Sequence, residues 1–181
     1  DARPRMRFVG MHNDQEFMPS KRDFEFQKLL SSGAYGSVYL ARHRTTNEQV
    51  AIKHLRKKDM MIKNCHEQVI AETKVLKFGA NPFVATMFCS FTSNQSLYIV
   101  MEFAPGGDLS TMLKNMGCFE ERMARSYFAE AVLAVEYIHE FGIVHRDLKP
   151  DNLVISKEGH IKLIDFGLSK FGVMARIASV E

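Results

Sequence analysis

From Asp23 onward apolar residues fall on alternate positions: Phe24-Glu25-Phe26-Gln27-Lys28-Leu29-Leu30 is followed, across Ser31-Ser32-Gly33-Ala34-Tyr35-Gly36, by Ser37-Val38-Tyr39-Leu40. A period of two predicts strands, and the intervening glycines predict a hairpin whose turn lets a ligand approach the backbone closely. Residues 50–55 form a third, apolar strand that carries Lys53; residues 83–91 and 96–103 read as two more, joined by the polar turn Thr92-Ser93-Asn94-Gln95. Ahead of these two, Val69, Thr73 and Leu76 share one face of a helix over residues 64–78, closed by Gly79 and Pro82. The expected product is a five-stranded antiparallel sheet with one helix.

The pattern then changes. Glu102-Phe103-Ala104-Pro105-Gly106-Gly107-Asp108 interrupts the apolar run with Pro and two glycines and predicts a linker, after which Asp108 is a candidate N-cap for a helix over 109–116. Residues 120–140 are the longest periodic segment, with Met123, Phe128, Ala131, Val132, Val135 and Ile138 as its apolar stripe and Gly142 beyond its end. Leu153-Val154-Ile155 and His160-Ile161-Lys162-Leu163-Ile164 predict a small hairpin turning at Glu158-Gly159, with Asn152 and Asp165 at its two ends. Residues 1–22 mix Arg3, Arg5, Arg7, Lys21 and Arg22 with Asp1, Asp14 and Glu16 and show no sustained period. They read as a mobile leader, with a docking segment as the alternative.

Composition removes several classes of function. The 24 basic and 21 acidic residues leave a net charge of +3, too balanced for an electrostatic nucleic-acid or membrane partner. Cys65, Cys89 and Cys118 lie far apart, without the paired spacing of a zinc site and with an odd count for disulfides, so a reduced, cytoplasmic chain is expected, with nucleus or cytoskeleton as alternatives. The run Leu97-Tyr98-Ile99-Val100-Met101 ends at Glu102, far short of a membrane span.

The chemistry concentrates in His145-Arg146-Asp147-Leu148-Lys149-Pro150-Asp151-Asn152, followed by Asp165-Phe166-Gly167. Pro150 holds the octapeptide out of a regular helix. Asp147 can take a proton from a hydroxyl, Lys149 can neutralise charge on a transferring group, and Asn152 with Asp165 offers the hard oxygen ligands that Mg²⁺ prefers. A base, a cation and two oxygen ligands are the parts phosphoryl transfer needs, since that chemistry is mostly positioning and electrostatics. A polar turn would account for a charged loop alone, but not for this spacing followed by Asp-Phe-Gly.

Over residues 23–170 these motifs resemble the protein-kinase catalytic domain, and Lys149 after Asp147-Leu148 resembles its serine/threonine branch. The resemblance implies an α+β, protein-kinase-like fold: an N-lobe over 23–101, a hinge over 102–108 and the first part of a mainly helical C-lobe over 109–181. It further implies an ATP- and Mg²⁺-dependent transfer of phosphate to Ser or Thr hydroxyls of a protein substrate. Asp147 and Lys149 would be catalytic, Lys53 would pair with the nucleotide phosphates and with Glu72, and Asn152 and Asp165 would hold the metal. Glu67 is the other carboxylate on that helix and reads as a solvated face. The glycine loop of Leu30, Ser31, Ser32, Gly33, Ala34, Tyr35, Gly36, Ser37 and Val38 would cover the nucleotide, although Ser31 stands where the family has its first glycine. Ala51 and Val154 would sandwich adenine, Glu102 and Ala104 would meet it through backbone groups, and Met101 would control the pocket behind it; Asp108 and Asp151 complete the nucleotide set, Asp108 at the ribose.

Asn81-Pro82-Phe83-Val84, Met87-Phe88-Cys89-Ser90-Phe91 and Asp165-Phe166-Gly167-Leu168-Ser169-Lys170 resemble the microtubule-associated serine/threonine kinases and greatwall, in the AGC group. No Ala-Pro-Glu motif precedes Glu181, so the chain reads as a partial catalytic domain with apolar faces of the 120–140 helix uncovered. The alternative reading is a catalytically silent nucleotide-binding or interaction module.

Overall fold

The period-two runs fold into strands β1 (Phe24–Gly33), β2 (Gly36–His43), β3 (Gln49–Arg56), β4 (Met87–Thr92) and β5 (Ser96–Glu102), which form one antiparallel sheet in the order β1-β2-β3-β5-β4. The computed structural model describes residues 19–33, 36–62, 81–165 and 170–171. It divides into two units, Asp1–Lys63 with Met87–Phe103, and Asn64–Thr86 with Ala104–Glu181. The helix expected over 64–78 lies outside the described residues.

In the first unit, cross-strand register sorts side chains onto two faces. Val38 pairs with Lys53 and Lys53 with Ile99, while Leu40 pairs with Ala51 and Ala51 with Met101, so these six share one face. The opposite face supplies a core of Phe24, Ala41, Val50, Ile52, Tyr98 and Val100, against which Phe26, Phe88, Cys89 and Phe91 pack. Its aromatic rings stack, with Phe91 and His54 each 4.9 Å from Tyr98. At the sheet edge, two irregularities in β1, between Phe26 and Lys28 and between Leu29 and Ser31, end the simple alternation expected through Leu30. Leu29 and Leu30 are exposed as a result. Ser20 caps a short 3₁₀ turn, Lys21–Asp23, in a reciprocal capping box with Asp23 just ahead of β1. A short helix, α1 (Lys57–Ile62), follows β3 where none was expected.

The strand expected over 83–91 is corrected to 87–92. Asn81 Oδ1 accepts the Phe83 N–H at 2.8 Å, an Asx turn that redirects the chain. Phe83 O then accepts the Leu163 N–H at 2.8 Å, and Ala85 N–H donates to Leu163 O at 3.1 Å. Residues 83–85 thus hydrogen-bond within the second unit instead of extending β4.

In that second unit, helix α2 (Leu109–Met116) begins where Asp108 accepts from the Thr111 N–H, and helix α3 (Glu121–Glu140) follows it. Strands β7 (Leu153–Ile155) and β8 (Ile161–Leu163) make the expected hairpin, and β6 (Ile143–Val144) pairs with β9 (Lys170–Phe171). The apolar stripe assigned to α3 is corrected in part. Glu130, Ala131, Ala134 and Ile138 are buried, but Phe128 is 73% and Val132 51% exposed. Glu130, Ala134 and Ile138, four residues apart in succession, share the buried side of the helix, which packs on β8 and β6, and the Phe128/Val132 ridge is rotated away from it. Among the described residues no helix is long and apolar enough to cross a membrane.

Gly106, read as a linker breaker, does more than break a pattern. Its N–H donates to Ile155 O at 2.9 Å and Ile155 N–H donates to Gly107 O at 2.8 Å, so the glycine pair lies along β7. A Cβ on Gly106 would sit 2.6 Å from Ile155 Cβ and 2.9 Å from its carbonyl oxygen. Gly106→Ala is expected to lower stability by about 1–3 kcal/mol, the usual range for overpacking. Gly33→Ala, with nothing within 4 Å, serves as the near-neutral control in the same urea-unfolding comparison.

Candidate active site

The octapeptide starts with a buried histidine, His145, 3% exposed, placed by the short strand β6. Its Nδ1 accepts the Asp147 N–H at 3.3 Å and its Nε2 lies 3.0 Å from Ile164 O. One ring nitrogen must accept and the other donate, so the hydrogen-bond pattern assigns the neutral tautomer with its proton on Nε2. The histidine therefore ties the start of the loop to the end of β8, immediately before Asp165.

Asp147 is held from two sides. Lys149 Nζ donates to its Oδ2 at 2.7 Å, and Asn152 Nδ2 donates to the same oxygen at 3.1 Å and to the Asp147 carbonyl at 2.8 Å. Both side-chain bonds fall on Oδ2, which leaves Oδ1 for an incoming hydroxyl. The Lys149 hydrogen bond, helped by that of Asn152 and by the lysine charge, holds the Asp147 carboxyl below the usual aspartate range; partial burial and the charge of Asp165 pull the other way. Lys149 is raised in turn, first by its hydrogen bond to Asp147.

Asn152, 5% exposed, closes a 3₁₀ turn with Pro150 and Asp151. Because its Nδ2 is committed to Asp147, its Oδ1 remains as the atom a hard cation would take. Its carbonyl accepts the Ile164 N–H at 3.0 Å, which brings the residue before β7 and the residue before Asp165 together. Asp165 itself has φ 61 and Arg146 φ 65, two of the three non-glycine residues with positive φ among those described. Such conformations persist where the surroundings over-determine them and cluster at functional sites. Asn152 Oδ1 and the Asp165 carboxylate are oxygen donors of the kind a hard cation such as Mg²⁺ would take. No cluster of three or more His, Cys, Asp or Glu suited to a metal occurs among the described residues, as a soft-metal site would need. Thiolate chemistry finds no support at Cys89, where burial and then the charge of Asp23 push the thiol up to about 12.

The first unit carries its own set. Val38, Ala51, Lys53 and Met101, all expected at the nucleotide, share one sheet face. Lys53 is 6% exposed, and a buried ammonium requires a partner. Glu72, the partner expected for it, lies outside the described residues, as do Ala34 and Tyr35. Gly36 has φ 139, and a Cβ there would collide with the His54 carbonyl and sit 2.9 Å from Leu55 Cδ2. This glycine is required where β2 crosses β3. Ser31, Ser32 and Gly33 are exposed and Ser37 is half-buried, with the Ser32 and Ser37 hydroxyls 3.3 Å apart across the hairpin. Leu30 sits at the β1 irregularity, and Glu102 ends β5 opposite Val50.

In the second unit Ala104 is half-buried, Asp151 is exposed, and Val154 bridges to Asp108. Both Asp108 carboxylate oxygens engage Thr111, at 2.7 Å to its N–H and 2.9 Å to its hydroxyl, so the capping role is realised. Three contributors were not singled out from the chain: His145 as a tether, Gly106 as a strand partner, and Glu130, a carboxylate on a core-facing helix position. A charged residue within an apolar stripe is the sequence signal that could have found Glu130.

The protein kinase domain pattern matches residues 24–177. The chain is 54% identical over 155 residues to the probable serine/threonine protein kinase IRE of Arabidopsis thaliana, covering 86% of this chain and 13% of that protein. It is 44% identical over 163 residues to the serine/threonine-protein kinase greatwall of Xenopus tropicalis, covering 90% of this chain and 18% of greatwall. With the serine/threonine-protein kinase RIM15 of Saccharomyces cerevisiae it shares 46% identity over 159 residues, 87% of this chain and 9% of that protein. The chain thus spans less than a fifth of each of these relatives. A hydrogen-bonded Asp147, Lys149 and Asn152 beside Asp165, a buried lysine on the third strand of a five-stranded sheet, and a match over most of its length show that the chain belongs to the protein kinase domain family.

Proposed function

We propose that this chain is the nucleotide-binding and catalytic-loop part of an ATP- and Mg²⁺-dependent protein serine/threonine kinase. The observation that carries the proposal is the set Asp147, Lys149 and Asn152, joined through one carboxylate oxygen at 2.7 and 3.1 Å. Asp147 keeps Oδ1 available to orient a substrate hydroxyl and receive its proton as that oxygen bonds to the γ-phosphorus of ATP and the bond from the γ-phosphorus to the bridging oxygen breaks, releasing ADP. Lys149 offsets negative charge on the group in transfer. Asn152 and Asp165 would hold Mg²⁺, which when bound neutralises charge on the phosphate oxygens. Val38, Ala51 and Met101 offer an apolar surface to adenine, and Lys53 offers a cation to the phosphates.

The test is transfer of the γ-phosphoryl of ATP to a Ser/Thr peptide by the protein containing residues 1–181. Asp147→Ala is expected to lower the rate by roughly 10²–10⁴-fold, the usual contribution of a positioned general base. Unchanged transfer in that variant removes the reading.

Asp165→Asn is expected to weaken nucleotide binding in the presence of Mg²⁺ and to lower the rate by on the order of a hundredfold or more, while leaving metal-free nucleotide binding near its original level. Calorimetry with and without Mg²⁺ checks both halves.

The depressed carboxyl of Asp147 sets the direction of a pH effect. Its ionised form, the one able to accept a proton, persists as pH falls until the folded-state value is crossed, below the ordinary aspartate value of about 3.9. Removing Lys149 removes the first cause of that depression. A carboxyl-carbon titration by NMR on nucleotide-free protein should therefore place the Asp147 midpoint below the ordinary range in the native chain and shift it upward in Lys149→Ala.

A further inference from the structure

Glu130 lies on the face of α3 that meets the β7–β8 hairpin and is 8% exposed. A carboxylate there costs desolvation that only strong hydrogen bonds offset. It has two. Oε2 accepts the backbone N–H of Ile161 at 2.8 Å, and Oε1 lies 2.7 Å from His160 Nδ1. The histidine side chain is 59% exposed, so the pair with it is weakly coupled, and the backbone bond is the structurally specific one.

The pairing of the hairpin explains why that N–H needs an outside acceptor. Ile155 stands opposite Ile161, and Ser156 N–H donates to His160 O at 2.8 Å, so the Ile161 N–H points away from β7. Leu163, two residues on, also points its N–H outward and gives it to Phe83 O at 2.8 Å. The outer edge of β8 is therefore pinned at two successive points, one by backbone and one by Glu130. Beyond the second point Ile164 N–H reaches Asn152 O at 3.0 Å, and Asp165 follows. A slip of one residue along β8 would exchange its two faces and carry Asp165 away from Asn152.

We propose that Glu130 is a positioning residue which, by holding the Ile161 amide, sets the β8 register that brings Asp165 and Asn152 together as a ligand pair. The proposal rests on the kinase reading only in what the pair is for; the pinning concerns the nucleotide-free protein. Glu130→Leu keeps the volume and removes both acceptors. Glu130→Gln keeps an oxygen for Ile161 and an amide for His160.

Amide hydrogen exchange on nucleotide-free protein provides the test, with the Ala134 amide in the same helix as internal reference. In Glu130→Leu the Ile164 amide, three residues from the lost bond, is expected to exchange about tenfold or more faster relative to Ala134, and Glu130→Gln is expected to restore it. A merely local role would speed Ile161 alone; unchanged relative exchange at Ile164 in Glu130→Leu, or no restoration by Gln, overturns the proposal. Should Glu130→Leu fail to fold, Glu130→Asp, which withdraws the carboxylate by one methylene, enters the same comparison with the same expected result. The kinase reading fails separately, if the native protein shows no Asp147-dependent transfer while the exchange result holds.

Discussion

A two-stranded hairpin has two open edges, and every backbone N–H and C=O on them must find a partner when the hairpin is buried. In the second unit this constraint organises everything around β7 and β8. Gly106 and Gly107 close the β7 edge through Ile155, while Phe83, Ala85 and Glu130 close the β8 edge through Leu163 and Ile161. Four stretches of chain distant in sequence, residues 83–85, 106–107, 130 and 153–163, are joined by these bonds to backbone groups the hairpin leaves unpaired. Asn152 and Asp165 flank that hairpin, so their spacing inherits its rigidity.

The loop from His145 to Asn152 adds electrostatics to this frame. Asp147 is kept ionised by a lysine and a carboxamide acting on one oxygen, and the carboxamide is itself buried and committed to the loop carbonyl. His145, neutral by its hydrogen-bond pattern, links the loop to Ile164. The positive φ of Arg146 and Asp165 bracket the same stretch, at a cost of order 1 kcal/mol each that the surrounding bonds sustain. The result is a carboxylate, a lysine and a carboxamide hydrogen-bonded to one another in a single preformed arrangement.

In the first unit the governing fact is the two-residue period of strands. It places an aromatic and aliphatic core on one face of the sheet and Val38, Ala51, Lys53 and Met101 on the other. Lys53 is buried in that apolar setting, and an ammonium there requires a partner. Gly36 has a related cause, since β2 passes so close to the His54 carbonyl that no Cβ fits.

Much of this was legible in the chain because local rules decide it. Alternation marked the five strands, Asp108 marked the start of α2, and Glu158-Gly159 marked the hairpin turn. The spacing from His145 to Asn152, then Asp165, pointed to the protein kinase domain, and the match over residues 24–177 bears that family out. What only the tertiary structure decided are the features set by long-range pairing. Phe83 to Ala85 read as strand but leave the sheet because Asn81 turns the chain and β8 offers partners for its backbone. Phe128 and Val132 belong to the apolar stripe read along the helix, and which part of that stripe is covered is decided by the elements that meet it: Glu130, Ala134 and Ile138 share the buried side, while Phe128 and Val132 are exposed, as expected of a helix with uncovered apolar faces. Glu130 read as nothing in particular: its role arises from an unpaired amide thirty-one residues away, and no local pattern records where a distant backbone group lacks a partner.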